Sequence, residues 1–158
     1  MNINLTGKNA LVCGATKGIG NATALLMAKL GANVTMISRN ESLLSRMVRD
    51  LDTSLGQKHD YIAADFNNPE ELKEKLQQKV HEPKVFHILV NNTGGPPAGL
   101  AIDAQLHEYT TAFTNHLLCN QVLVQAVIDG MRGSGYGRII NVISTSVKAP
   151  LKGLGVSN

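Results

Sequence analysis

The run Cys13-Gly14-Ala15-Thr16-Lys17-Gly18-Ile19-Gly20 constrains this chain more than any other stretch. It follows the apolar residues Ala10-Leu11-Val12 and opens a segment with helical periodicity. Three glycines spaced G-x-x-x-G-x-G between a strand and a helix let backbone amides approach a phosphate closely. Glycine tolerates the tight turn and leaves no Cβ in the anion's way. The helix that starts there turns its partial positive end toward the same point. A generic strand-to-helix turn needs one glycine, so the spacing predicts a phosphate-binding loop inside a strand–helix–strand unit.

The rest of the chain keeps that alternation. A first strand is predicted over about 8–13. A helix follows over about 18–30, with Ile19, Ala22, Leu26 and Leu30 as its apolar stripe and Gly31 ending it. A second strand covers 32–38. Asn40 then caps a helix whose apolar face is Leu43, Met47 and Leu51. A third strand covers 60–64. Asn68 as N-cap, Pro69 in the first helical position and Glu71 at the capping-box position start the next helix, striped by Leu72, Leu76 and Val80. Residues 85–90 are nearly all apolar, as in a strand buried on both faces of a parallel sheet. A Gly/Pro loop (91–97) leads to a long helix over about 104–131. Its stripe is Leu106, Tyr109, Phe113, Leu117, Val124, Val127 and Met131, with Leu118, Val122, Leu123 and Ala126 on another side. A glycine-rich turn precedes a fifth strand at 138–143. Five strands alternating with four helices predict one doubly wound α/β domain with a parallel sheet and right-handed crossovers.

Composition narrows the function classes. Hydrophobic residues make up 43% of the 158, enough for one core. The net charge is +3 with Lys and Arg scattered, which gives nucleic-acid binding little support. Cys13 and Cys119 are too few and too far apart for a zinc ribbon or a disulfide framework, and the histidines show no metal-ligand spacing. Met1 to Leu5 lacks the marks of a signal peptide, and no apolar run approaches a membrane span. The expectation is a cytoplasmic protein with no metal and no membrane partner.

Taken in order, the motifs resemble the short-chain dehydrogenase/reductase superfamily over nearly the whole chain. They are Gly14-x-x-x-Gly18-Ile19-Gly20, Asp65, Asn91-Asn92-Thr93-Gly94, Asn115 in the long helix, and Gly137-Arg138-Ile139-Ile140-Asn141-Val142-Ile143-Ser144. The sequence is most similar to 3-oxoacyl-carrier-protein-reductase-like members. Thr93 stands where the family usually has alanine. The larger departure is catalytic. The family places a Tyr-x-x-x-Lys motif thirteen residues after its active-site serine. From Ser144 that count lands on Ser157, and Tyr61, Tyr109 and Tyr136 are followed four residues on by Asp65, Phe113 and Ile140. The segments 92–99 and 154–158 resemble an atypical branch with Ser-Asn in place of that tyrosine and its neighbour. The resemblance implies a Rossmann-type fold cut short after the fifth strand, with 1–158 as the N-terminal part of a longer reductase.

It also implies roles. Gly14, Thr16, Lys17, Gly18, Ile19 and Gly20 would hold the cofactor's phosphates. Arg39 follows the second strand, where NAD-specific proteins usually present an acid to the ribose. With Lys17 it offers cations to a 2′-phosphate, favouring NADP(H) over NAD(H), or else both are ordinary exposed cations. Asp65 would bind the adenine amino group with Phe66 beside the ring, or else simply form a turn with Asn67 and Asn68. Asn92 and Gly94 end the fourth strand at the ligand edge, and Asn91 either serves the site or ties strands together. Asn115 would hold a water in a proton relay, and Ser144 would hydrogen-bond a substrate carbonyl. Alternatively, Asn115 faces solvent and Ser144 only shapes a turn. His107 and His116 read as ordinary helix-surface residues, and residues 96–100 as a pocket wall. The expected protein is a homodimer or homotetramer acting on a small-molecule carbonyl, with Leu118, Val122 or Leu123 near the interface. The alternatives are a nucleotide-binding sensor or assembly subunit without catalysis, or an inactive fragment.

Overall fold

A computed structural model describes residues 3–80 and 85–158. The elements in order are β1 (Asn9–Cys13), α1 (Gly18–Lys29), β2 (Asn33–Ser38), α2 (Glu41–Arg49), β3 (Asp60–Ala63), α3 (Pro69–Val80) and β4 (Ile88–Asn91). Then come α4 (Leu106–Phe113), a π turn (Thr114–Leu118), α5 (Cys119–Gly133), β5 (Arg138–Asn141) and a short 3-10 turn (Thr145–Val147). The strands form one parallel sheet in the order β3-β2-β1-β4-β5. The order reverses between β1 and β4, and in such sheets that switch point opens a crevice at the strands' carboxyl ends.

Strand alternation builds two cores. Leu11, Cys13, Ile37, Ile62 and Leu89 pack with Leu72, Leu76, Leu123 and Val127 from α3 and α5. Ala10, Val12, Val34, Met36, Ile88 and Val90 point the other way, to Ala24 and Ala28 of α1 and Leu44 of α2. Successive residues of a strand face opposite sides, so helices cover both faces. The expected caps form. Asn40 Oδ1 accepts from the Leu43 amide at 2.9 Å, and Asn68 Oδ1 accepts from the Glu71 amide at 3.1 Å. Gly31 sits at φ +96°, a left-handed position suited to glycine after a helix end. The side chain of Val80 lies outside the described residues.

Three expectations about helix faces need correction. The stripe assigned to the first helix points outward, with Ile19 61% and Leu26 57% exposed. The buried face is Gly20, Ala24 and Ala28. The cause is Gly20: a Cβ there would collide with the Gly14 carbonyl, so the helix lies close to the loop with this face inward. Residues four and eight further on then face the sheet and must be small. The long helix is interrupted by the π turn, whose extra residue rotates the following turns by roughly 100°. The stripe before it stays open, with Leu106 and Phe113 exposed, while Cys119, Leu123, Val127 and Met131 form the buried line after it. Leu123 is thus a core residue and not an interface residue. The fifth strand stops at Asn141, short of the predicted 143, and every residue of it is exposed.

Candidate functional site

The loop after β1 is braced from within. Gly14 and Gly18 have φ of +57° and +55°, the left-handed region where a side chain is strained. A Cβ on Gly14 or on Gly20 would come within 2.8 Å of Asn92 Nδ2. That amide donates to the Cys13 carbonyl at 3.2 Å, so Asn92, at the end of β4, seals the inner side of the loop. The outer side is free: nothing lies within 4 Å of a Cβ built on Gly18. Lys17, the N-cap of α1, makes no side-chain cap bond, which leaves first-turn amides of α1 for a ligand. The Ala15 amide donates to the Ile37 carbonyl at 3.2 Å, and the Thr16 and Ser38 hydroxyls share a 3.0 Å hydrogen bond. The loop is therefore tied to the end of β2 as well.

Exposed Arg39 follows β2 directly, and exposed Lys17 belongs to the loop tied to that strand end. Asp65 follows β3, where its Oδ1 accepts from the Asn67 amide at 3.0 Å and from Asn67 Nδ2 at 3.1 Å, forming a turn. The Phe66 ring is packed in the core and does not stand free beside the loop. Its carbonyl accepts from Cys119 Sγ at 3.0 Å.

Asn91 is buried, and its Nδ2 donates to Asn141 Oδ1 at 2.8 Å, linking β4 to β5. Gly94 lies beyond it with open space where a side chain would be. Asn115 lies in the π turn, and its Oδ1 is buried with no hydrogen-bond partner in the protein. Ser144 is exposed, just past β5, and its Oγ accepts from the Ser146 amide at 3.1 Å. That acceptor role leaves the hydroxyl proton free to be donated outward.

The end of the chain is occupied structurally. Leu154 bridges Gly99, and the Gly155 amide donates to the Gly99 carbonyl at 2.9 Å. The Asn158 carboxamide clasps both the amide (3.2 Å) and the carbonyl (3.0 Å) of Leu151. The Ser157 carbonyl accepts from Ser146 Oγ at 3.5 Å. The 96–100 loop is therefore backed by the final residues.

His116 corrects an expectation. It is half-buried, and its Nδ1 lies 2.7 Å from Thr93 Oγ1. Helical periodicity places it outside, and only the π turn brings its ring back toward the end of β4. Both cysteines are buried free thiols. Burial pushes Cys13 up to about 12, partly opposed by the Asn92 backbone amide and helped by Cys119. Cys119 rises to about 11, again chiefly by burial and then by the Asp65 charge. Among the described residues no cluster of His, Cys, Asp or Glu could hold a metal ion, and no helix is long and apolar enough to cross a membrane.

A parallel sheet in the order β3-β2-β1-β4-β5 with a glycine loop at its switch point is a Rossmann-type α/β fold. The family model described as short chain dehydrogenase matches residues 8–156, and the chain belongs to that family. It is 35% identical over 140 residues to the 3-oxoacyl-[acyl-carrier-protein] reductase FabG of Vibrio cholerae, a match covering 89% of this chain and 56% of the relative. The ketoacyl reductase HetN of a Nostoc species is 31% identical over 144 residues, covering 91% and 50%. Among solved structures, L-sorbose reductase from Gluconobacter frateurii, complexed with NADPH and L-sorbose, superposes with a TM-score of 0.91 at 26% identity. That match covers 99% of this chain and 60% of the other. The chain spans about half the length of the curated relatives it matches.

Proposed function

We propose that the whole protein is an NADP(H)-dependent oxidoreductase acting on a carbonyl or alcohol of a small, 3-oxoacyl-like molecule. In this reading residues 1–158 are its single nucleotide-binding domain, the N-terminal part of a longer reductase fold. The observation that carries it is the loop at the switch point. Gly14 and Gly20 are pressed against Asn92, while the side of the loop at Gly18 is open. That shape fits a pyrophosphate, with first-turn amides of α1 and its positive end supplying the binding energy.

Arg39 and Lys17 serve a 2′-phosphate, and Arg presents planar donors to it. Thr16, Ile19, Asp65 and the backbone at Phe66 line the adenosine side, and Asn92 and Gly94 the ribose and ring side. The bound nicotinamide nucleotide supplies or accepts the hydride. Ser144 donates its hydroxyl proton to the substrate oxygen, a bond that strengthens as negative charge develops there. The unpartnered Oδ1 of Asn115 holds a water for proton passage. Exposed Leu118 and half-buried Val122 favour a homodimer or homotetramer, and similarity to FabG favours a cytoplasmic protein.

A second reading, nucleotide binding without catalysis, draws on Ser157. A serine hydroxyl at the tyrosine position is a weak acid for proton transfer near neutral pH. Titrating the whole protein with NADPH and NADH by fluorescence, then following NADPH oxidation with 3-oxoacyl thioesters and simple ketones, separates the two. Tighter NADPH binding with turnover is expected. Binding without turnover on any ketone favours the second reading, and no binding of either nucleotide overturns both.

A further inference from the structure

We infer that Thr93 and His116 form a latch that fixes the π turn, and with it the Asn115 carboxamide, against the end of β4. His116 is thereby a positioning residue for the site. A π turn departs from the i to i−4 ladder and is kept in folded proteins mostly where a site needs it. Here the turn carries a buried carboxamide oxygen with no partner, a group whose desolvation is costly. Contacts from neighbouring elements must offset that cost.

Two side-chain bonds hold the turn, one from the residue directly after it and one from its middle residue. Cys119 Sγ, directly after it, donates to the Phe66 carbonyl at 3.0 Å. His116, within it, meets Thr93 Oγ1 at 2.7 Å across a separation of 23 residues. The first bond holds the turn to the loop after β3, and the second holds it to the residue following Asn92. Asn92 in turn braces the glycine loop through the Cys13 carbonyl. A continuous set of contacts therefore runs from Gly14 through Asn92 and Thr93 to His116 and its neighbour Asn115. The bond needs the threonine hydroxyl: the alanine usual in the family at this position has no atom to make it. Only the Nδ1 side of the imidazole is used, so a shorter side chain with a polar atom in that place can stand in for it.

The consequence for catalysis rests on the oxidoreductase reading; the latch itself does not. The test uses the whole protein and the variants His116→Ala, His116→Asn, Thr93→Val and Thr93→Ser. Hydrogen exchange of the 114–118 amides reads the latch without any cofactor. His116→Ala and Thr93→Val should each speed that exchange about tenfold, and together no more than either alone. His116→Asn and Thr93→Ser should restore protection. If turnover exists, the two disruptive variants lower kcat with NADPH affinity unchanged, and the two conservative variants recover it. Unchanged exchange in both disruptive variants, or additive effects in the double variant, overturns the latch. Faster exchange in a protein with no turnover keeps the latch and removes the oxidoreductase reading.

Discussion

The two sides of the crevice are finished to different degrees. On the β1–α1–β2 side, small residues let backbone meet backbone. Ala15, Ala24 and Ala28 have no exposed surface, and the glycine loop is tied to both neighbouring strands. On the β4–β5 side, the walls are loops and half-covered helices. No residue of α4 is buried, β5 is exposed along its length, and Ile139, Ile140 and Ile143 present apolar surface. The glycine-loop side, which the proposed function assigns to the phosphates, is therefore closely packed and tied to its neighbours. The β4–β5 side, which the proposed function assigns to the substrate, is linked by side-chain bonds such as Asn91 to Asn141 and Thr93 to His116. Changes on the first side should act on stability and nucleotide binding together, and changes on the second should act on chemistry alone.

The sharpest way to break that contrast is Gly14→Ala. The new methyl meets the Asn92 carbonyl at 2.5 Å in a left-handed backbone. Strain and overpacking together should cost about 2–5 kcal/mol, read as a lower denaturation midpoint and lost NADPH binding. Stability and affinity both unchanged would show that the loop is not the closely packed side. On the open side, Ser144→Ala should lower turnover by roughly 100- to 1,000-fold while leaving NADPH affinity and melting temperature nearly intact. Unchanged kcat would favour nucleotide binding without catalysis. Arg39→Ala should weaken NADPH by roughly 10- to 100-fold and leave NADH unaltered; equal loss for both nucleotides would remove the 2′-phosphate role.

The smallest effect lies at the opposite edge of the sheet and serves as the control. His87 Nδ1 accepts from the Asn9 amide at 3.0 Å, which requires the neutral ring. Burial first, and the Lys8 charge second, hold its pKa below the ordinary 6.5. The unfolded chain thus takes up this proton more readily than the folded one. Its contribution to stability is complete above about pH 6.5 and is lost as the pH falls through the folded value. Thermal midpoints between pH 8 and pH 5 should fall less steeply in His87→Phe than in the natural protein, with nucleotide affinity at pH 7.5 unchanged. Identical slopes would remove His87 from the account.

The sheet, its doubly wound order of elements, the glycine loop and the helix starts at Asn40 and Asn68 are legible in the chain. Those are local matters, set by strand hydrophobicity, glycine spacing and short polar caps, and each can be read within a dozen residues. Tertiary structure decided which way the helices turn. Periodicity ranked Ile19 and Leu26 as buried because they are large, but the close approach at Gly20 reserved the inner face of α1 for Gly20, Ala24 and Ala28. Tertiary structure also decided the π turn, since no local signal marks where a helix will admit an extra residue. That insertion put Leu123 in the core, left Phe113 outside, and brought His116 to Thr93 from 23 positions away. Phe66 makes the same point: a loop aromatic is legible in the chain, but its burial against α5 depends on a helix more than fifty residues further on. Contacts of that range are fixed only when the elements pack, because they depend on helix rotation and depth, which one-dimensional spacing does not contain.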